Sequence, residues 1–375
     1  MSFNVNGWRD LDFKIDDLAI HQIRDKLLEN LMNVSSYPGI YSGKGIVFCA
    51  GGLSYFSCAW ISINRLRRIG CNLPIEVWFL GTELSECVIN QLKALDVTCC
   101  NFLDYDEYHK YQLDGFSLKP LAIILSQFEE VLFLDADNLS VTDPSFLFED
   151  KRYLINGTIF WPDIWRTSAE NPIWKIVNSN SYYQNEQESG QLLVNKRICW
   201  KELQTCLYLN SQRNIYYRFL YGDKDTFKFA WLAREKDYFM IDGFPGICGY
   251  QKNGIFLGNT LVQFSPSGNP LFFHRNLLKW DVTLSNERVW SKFKRFRAIS
   301  EQSKFFFSFS SESHFYLDIA GDIEETYVDQ IIPGVESECL EVLDKLRNEK
   351  FYLDFVHHIH LRNNRFKNNH RIISR

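Results

Sequence analysis

Between Gly45 and Leu134 the chain alternates strand and helix patterns, and the last of these strands runs straight into two aspartates. No other feature limits the possible folds so strongly. Ile46, Val47, Phe48, Cys49 and Ala50 form a short apolar run that stops at Gly51 and Gly52, as a parallel strand entering a ligand loop would. Tyr55, Phe56, Ala59, Trp60, Ile63 and Leu66 then recur at helical spacing, with Ser54 placed to cap the helix and Gly70 past its end. Ile75 to Leu80 reads as a strand, Leu84 to Leu95 as a helix, Lys119 to Phe128 as a helix with Pro120 in its first turn, and Val131 to Leu134 as a central strand. That order predicts an α/β fold, a Rossmann-like mixed sheet between helices, with ligands just outside the carboxyl ends of the strands.

Beyond Asp150 the pattern is less regular. Thr158 to Trp161, Gln191 to Val194, Leu261 to Phe264 and Leu271 to Phe273 read as strands, and Arg197 to Leu209 and Asp225 to Ala233 as helices. Without an internal repeat or a Pro/Ser/Gly-rich linker, residues 45–280 are expected to form one domain, behind a helical cap at 1–44 and before an extension at 281–375. Arg362, Arg365, Lys367, Arg371 and Arg375 make the C-terminal end a basic tail, expected to be solvated and frayed.

Composition excludes several function classes. With 46% hydrophobic residues in 375, the chain can bury a large core. No apolar stretch approaches the roughly 20 residues of a membrane span, and Met1 to Lys14 lacks a signal-peptide pattern, so a cytoplasmic location is expected, with no transmembrane segment. The ten cysteines include no C-x-x-C pair, which argues against structural zinc and leaves them as core thiols. A net charge of −5 disfavours nucleic acid as a partner, because binding a duplex requires a basic face.

Chemistry concentrates at Val131-Leu-Phe-Leu-Asp135-Ala-Asp137. Carboxylates at the end of a buried strand are costly unless a cation neutralises them. Asp135 and Asp137 can face one point if the chain leaves the strand at Ala136, offering hard oxygen ligands for Mn²⁺ or Mg²⁺ and, through the ion, a diphosphate. Taken alone, such a D-x-D often marks only a turn; the hydrophobic lead-in favours the metal. Leu271-Phe-Phe-His274-Arg275-Asn276-Leu-Leu-Lys279 adds an imidazole that could complete the metal's protein ligands, with Lys279 and Arg275 placed to neutralise phosphate oxygens. Two further segments, Glu188-Ser-Gly190-Gln191 and Gly222-Asp223-Lys224-Asp225, lie at element ends. Their carboxylates and amides could bind sugar hydroxyls or stabilise an oxocarbenium-like centre, while helix capping is the competing account of Asp223 and Asp225.

These blocks resemble, in order, the fungal-type Golgi α-1,2/α-1,3-mannosyltransferases. The resemblance runs through Gly45-Ile-Val-Phe-Cys-Ala-Gly-Gly52, Leu73-Pro-Ile-Glu-Val-Trp78, Leu118-Lys-Pro-Leu-Ala-Ile-Ile-Leu125, Phe128 to Asn138, Phe160-Trp-Pro-Asp163, Glu188 to Gln191, Gly222 to Phe227 and Phe273 to Trp280. It implies a GT-A nucleotide-sugar-binding fold and a metal-dependent, retaining glycosyltransferase using GDP-mannose. On that resemblance Asp135, Asp137 and His274 hold the metal, Lys279 and Lys119 contact the donor, and Ala50, Gly51 and Gly52 pass under the nucleoside. Glu188, Gln191 and Asp225 would line the sugar pocket. The acceptor would be a glycan, lipid-linked or protein hydroxyl. A UDP-sugar donor (glucose, galactose or N-acetylglucosamine) is the alternative specificity, and a non-catalytic glycan-binding protein the alternative class. The fungal enzymes carry an N-terminal membrane anchor, and no such segment is expected here. Peripheral membrane contact is an expectation for Arg288 to Arg297, read as a basic aromatic helix. His357, His358 and His360 lack a carboxylate pattern and do not read as a metal cluster.

Overall fold

The computed structural model describes residues 1–111, 113–309 and 314–373, with side chains through 363. Its main sheet has seven strands in the order Phe239–Met240, Thr158–Pro162, Gln187–Asn195, Glu130–Asp135, Lys44–Cys49, Ile75–Phe79 and Val97–Asn101. The last four run parallel, and Gln187–Asn195 lies antiparallel to both its neighbours. That reversal places residues 187–190 at the edge where Cys49, Phe79 and Asp135 end.

Strand alternation decides which helix each residue meets. Ile46, Phe48, Leu132 and Leu134 join the core beneath helix Gly52–Arg68, whereas Val47, Val131 and Phe133 join the core beneath Lys119–Leu125 and Lys196–Ser211. All seven are fully buried, and each contributes about 1.5–3 kcal/mol relative to exposure. Burial on both faces explains why these strands read as unbroken apolar runs. Helix Gly52–Arg68 begins earlier than expected: Gly51 is its N-cap and Ser54 lies within its first turn.

A second sheet is ordered Lys304–Phe309, Phe315–Ala320, Ile255–Phe264, Gly246–Lys252, Lys292–Phe296, Ile323–Tyr327, with Pro270–His274 also paired to Ile255–Phe264. Strands from both sides of Trp280 thus share one sheet, so the expected boundary at 280 has no counterpart in the hydrogen bonding. Helices Val335–Asn348 and Lys350–Ile373 then return to the main domain, where Phe355 meets Phe56 edge-on at 5.2 Å. The tail expected to fray is helical in backbone through Ile373. Of its basic residues, the side chains of Arg365, Lys367 and Arg371 and all of Arg375 lie outside the described residues.

Two other expectations are corrected. The first 44 residues contain the helix Asp17–Met32, but it is preceded by strands Ser2–Phe3 and Trp8–Asp10, the second parallel to Arg166–Thr167. Arg288 to Arg297 is no helix: it contains the strand Lys292–Phe296, hydrogen-bonded on both edges. Trp290 and Phe293 are 1% and 2% exposed, and Lys294 and Arg295 pair with Asp318 and Glu324. Long-range strand pairing overrode the local helical pattern, and Trp290 and Phe293 are core residues, with Phe296 half-buried against the core. Among the described residues, no helix is long and apolar enough to cross a membrane.

Candidate active site

The site is assembled by one short antiparallel pairing. After Asp135 the chain turns through Ala136 and Asp137 and enters Asn138–Ser140, which pairs with Pro270–His274 so that His274 stands opposite Asn138. Arg275 N–H donates to the Asp137 carbonyl at 2.9 Å. The Asn138 amide donates to Gly190 O and to Gln191 Oε1, both at 2.7 Å, tying in the neighbouring strand. Ser62, from helix Gly52–Arg68, donates to the carbonyls of Ala136 and Asn138 at 3.1 and 3.0 Å. The turn is therefore held from three sides, and its two carboxylates are left to the cleft.

His274 lies between carboxylates. Its Nε2 is 3.1 Å from Asp137 Oδ1 and 3.8 Å from Asp135 Oδ2, and its Nδ1 is 3.0 Å from Glu188 Oε1. Glu188 is oriented by Gly190 N–H and Gln191 Nε2, each donating at 2.7 Å. Burial opposes a proton on the ring, yet Glu188 and Asp137 outweigh it and raise His274 to about 10. Burial likewise opposes ionising Asp137, but His274 and the ion-paired Lys279 hold it below the usual carboxylate range. The imidazole thus bridges Asp137 and Glu188 through its two ring nitrogens.

Donor atoms of Asp135, Glu188 and His274 all lie within 4.8 Å of one another, the one group of its kind among the described residues. Two carboxylates and an imidazole are a donor set that fits Mn²⁺ or Mg²⁺. Glu188, expected in the sugar pocket, belongs to this cluster. Lys119 is buried, and its ammonium lies 3.0 Å from both Asp135 and Asp223 while donating to Ser189 O and Oγ.

These groups line a cleft of about 550 Å³. Ala50, Gly51, Lys119, Asp135, Asp137, Glu188, His274 and Lys279 all face it. Gln191, Asp225 and Gly52 do not line it. Gln191 stands behind Glu188, and Asp225 is fully buried, accepting from Gln187 N–H at 2.8 Å with its other oxygen 3.5 Å from Lys224 Nζ. Like charge from Glu186 adds to burial in raising Asp225 to about 6. The carboxylate of that segment that does reach the cleft is Asp223. Tyr55, Glu83, Phe116, Ser189 and Lys224 also line it without having been singled out. Ser189 and Lys224 lay within recognised blocks; Tyr55, Glu83 and Phe116 are scattered single residues with no local signal. His358 is near the cleft loop, its Nε2 2.9 Å from Thr82 O.

The fold is that of a GT-A domain, a Rossmann-like sheet whose central strand ends at Asp135, two residues before Asp137. The pattern of the family described as "Mannosyltransferase putative" matches residues 43–187 and 178–263, and the chain belongs to that family. It is 29% identical over 316 residues to the α-1,2-mannosyltransferase MNN21 of Candida albicans, covering 68% of this chain and 48% of that protein. It is 25% identical over 303 residues to the α-1,2-mannosyltransferase MNN2 of Saccharomyces cerevisiae, covering 68% and 51%. The chain thus spans about half the length of these relatives. Among solved structures, the glycosyltransferase GlyE of Streptococcus pneumoniae overlays with a TM-score of 0.38 at 14% identity, covering 54% of this chain and 46% of that one. The galactosyltransferase LgtC overlays at 0.36 and 14%, covering 53% and 73%.

Proposed function

We propose that this chain transfers α-linked mannose from GDP-mannose to a hydroxyl of a glycan, free, lipid-linked or on protein, with retention of configuration. The observation that carries the reading is the convergence of Asp135, Asp137, Glu188 and His274 on one end of a cleft that also presents Lys279. A bound Mn²⁺ or Mg²⁺ would be held by Asp135, Glu188 and His274, with Asp137 beside them, and would supply Lewis-acid neutralisation of the donor diphosphate. Lys279 offers a cation to the phosphate oxygens that become the leaving group. Lys119 pairs with both Asp135 and Asp223 and holds them in place. Asp223 presents a carboxylate oxygen to the sugar end, where it can accept from the sugar's hydroxyls or stabilise positive charge developing at the anomeric carbon.

Two measurements test this. GDP with Mn²⁺ should raise the melting temperature more than UDP with Mn²⁺; at ~100 times its dissociation constant a ligand adds ~2.7 kcal/mol. Release of GDP from GDP-mannose without acceptor should be slow but metal-dependent, and Asp137→Asn should abolish it without unfolding the chain. Stronger protection by UDP would move the donor to a UDP-sugar, and Asp137→Asn with normal turnover would place the chemistry elsewhere.

A further inference from the structure

We infer that Glu83 reads the guanine edge of the donor nucleotide and that Phe116 supplies the face on which the base stacks, an inference that rests on the donor proposed above. Beside the charged cluster, the cleft is walled by the carboxyl ends of strands Lys44–Cys49 and Ile75–Phe79 and by Leu80, Phe102 and Leu118. Among the described residues, the carboxylates lining it are Glu83, Asp135, Asp137, Glu188 and Asp223, and Glu83 is the one of them not paired with His274, Lys119 or Lys279.

Its position is held tightly. Oε2 accepts Leu80 N–H at 2.9 Å, and the Glu83 carbonyl accepts Gly52 N–H at 3.1 Å. A Cβ on Gly51 would stand 2.0 Å from Oε2, so the carboxylate occupies the face that only a glycine leaves open. The C-terminal helix backs the same loop, with His358 against Thr82 O at 2.9 Å and Arg362 at 3.9 Å from Glu83 Oε1. Guanine presents N1–H and the N2 amino group side by side, two donors that match one carboxylate; uracil presents a single N–H between two carbonyls. Phe116 is 61% exposed on the turn Gly115–Leu118, edge-on to Tyr55 at 6.3 Å. An apolar ring left open at a cleft mouth is a stacking surface for a base, which needs a face as well as an edge to be held.

The test is the ratio of GDP to IDP affinity, measured by calorimetry with Mn²⁺ on the full chain. IDP lacks only the N2 amino group. The wild type should prefer GDP to IDP at least tenfold, and Glu83→Gln should bring the ratio within about threefold. Phe116→Ala should weaken GDP and IDP equally, leaving the ratio unchanged. Because the ratio compares two ligands on one preparation, partial unfolding of a variant does not move it, and glutamine keeps an oxygen for Leu80 N–H. A Glu83→Gln ratio equal to that of wild type overturns the inference while leaving the GDP donor intact. A wild type that prefers UDP to GDP overturns both.

Discussion

Gly190→Ala probes the site through geometry alone. Gly190 has an ordinary backbone conformation, so alanine brings no torsional strain there. The added Cβ would stand 2.4 Å from His274 Nδ1, 2.5 Å from its Cε1 and 2.7 Å from Glu188 Oε1. Ordinary contact begins at 3.4 Å, so the imidazole must retreat by about 1 Å. A misplacement of that size costs about 100-fold in rate, or about 2.7 kcal/mol of transition-state stabilisation. Overpacking of this kind also costs about 1–3 kcal/mol of stability. The expected outcome is a folded protein, melting a few degrees lower, whose metal-dependent GDP-mannose turnover has dropped about 100-fold. Stopped-assay turnover and a melting curve on the same preparation measure both quantities. Turnover within about threefold of wild type, in a variant that melts normally, would refute the assembly of His274 and Glu188 as one working unit.

Glu188→Gln removes a charge while keeping volume, and should weaken Mn²⁺-dependent GDP binding and turnover together, each at least tenfold; unchanged GDP affinity with Mn²⁺ would take Glu188 out of the metal's ligands. Lys196 is buried, donating to Ile124 O and Ser126 O with Tyr41, Glu76 and Glu129 around it, and burial outweighs those carboxylates to lower it to about 7. The unfolded chain then holds the extra proton between pH 7 and about 10, so this group makes stability rise with pH across that window, by at most about 1.4 kcal/mol per unit. Lys196→Met should flatten that slope in urea titrations; an unchanged slope would mean the lysine stays charged. Trp290→Ala should cost about 3–5 kcal/mol of stability and leave sedimentation with anionic vesicles unchanged, whereas lost vesicle binding in a stable variant would restore the membrane role.

What could be read along the chain was whatever depends on near neighbours. The strands at 44–49, 75–79 and 130–135 announce themselves because burial on both faces demands unbroken apolar runs, and the D-x-D turn because charge at the end of such a run needs a reason. Helix Lys119–Leu125 was visible through Pro120 at its first turn. By contrast, Arg288 to Arg297 carries a helical distribution of aromatics and becomes a strand, since its two hydrogen-bonding partners lie at 247–249 and 323–327.

The site itself was legible in residue types and not in their arrangement. That Glu188 touches His274, that Lys119 supports carboxylates, and that Asp223 reaches the cleft while Asp225 is buried behind it follow from strand register and from where helix Thr226–Ala233 begins. His274 meets Asp137 across 137 positions of sequence because Asn138–Ser140 pairs with Pro270–His274 in one particular register. A shift by one residue would turn the imidazole to the opposite face. Sequence determined which groups were available and which strand would carry the aspartates; tertiary pairing alone decided which of them meet, because contact between distant segments is set by hydrogen-bond register and packing.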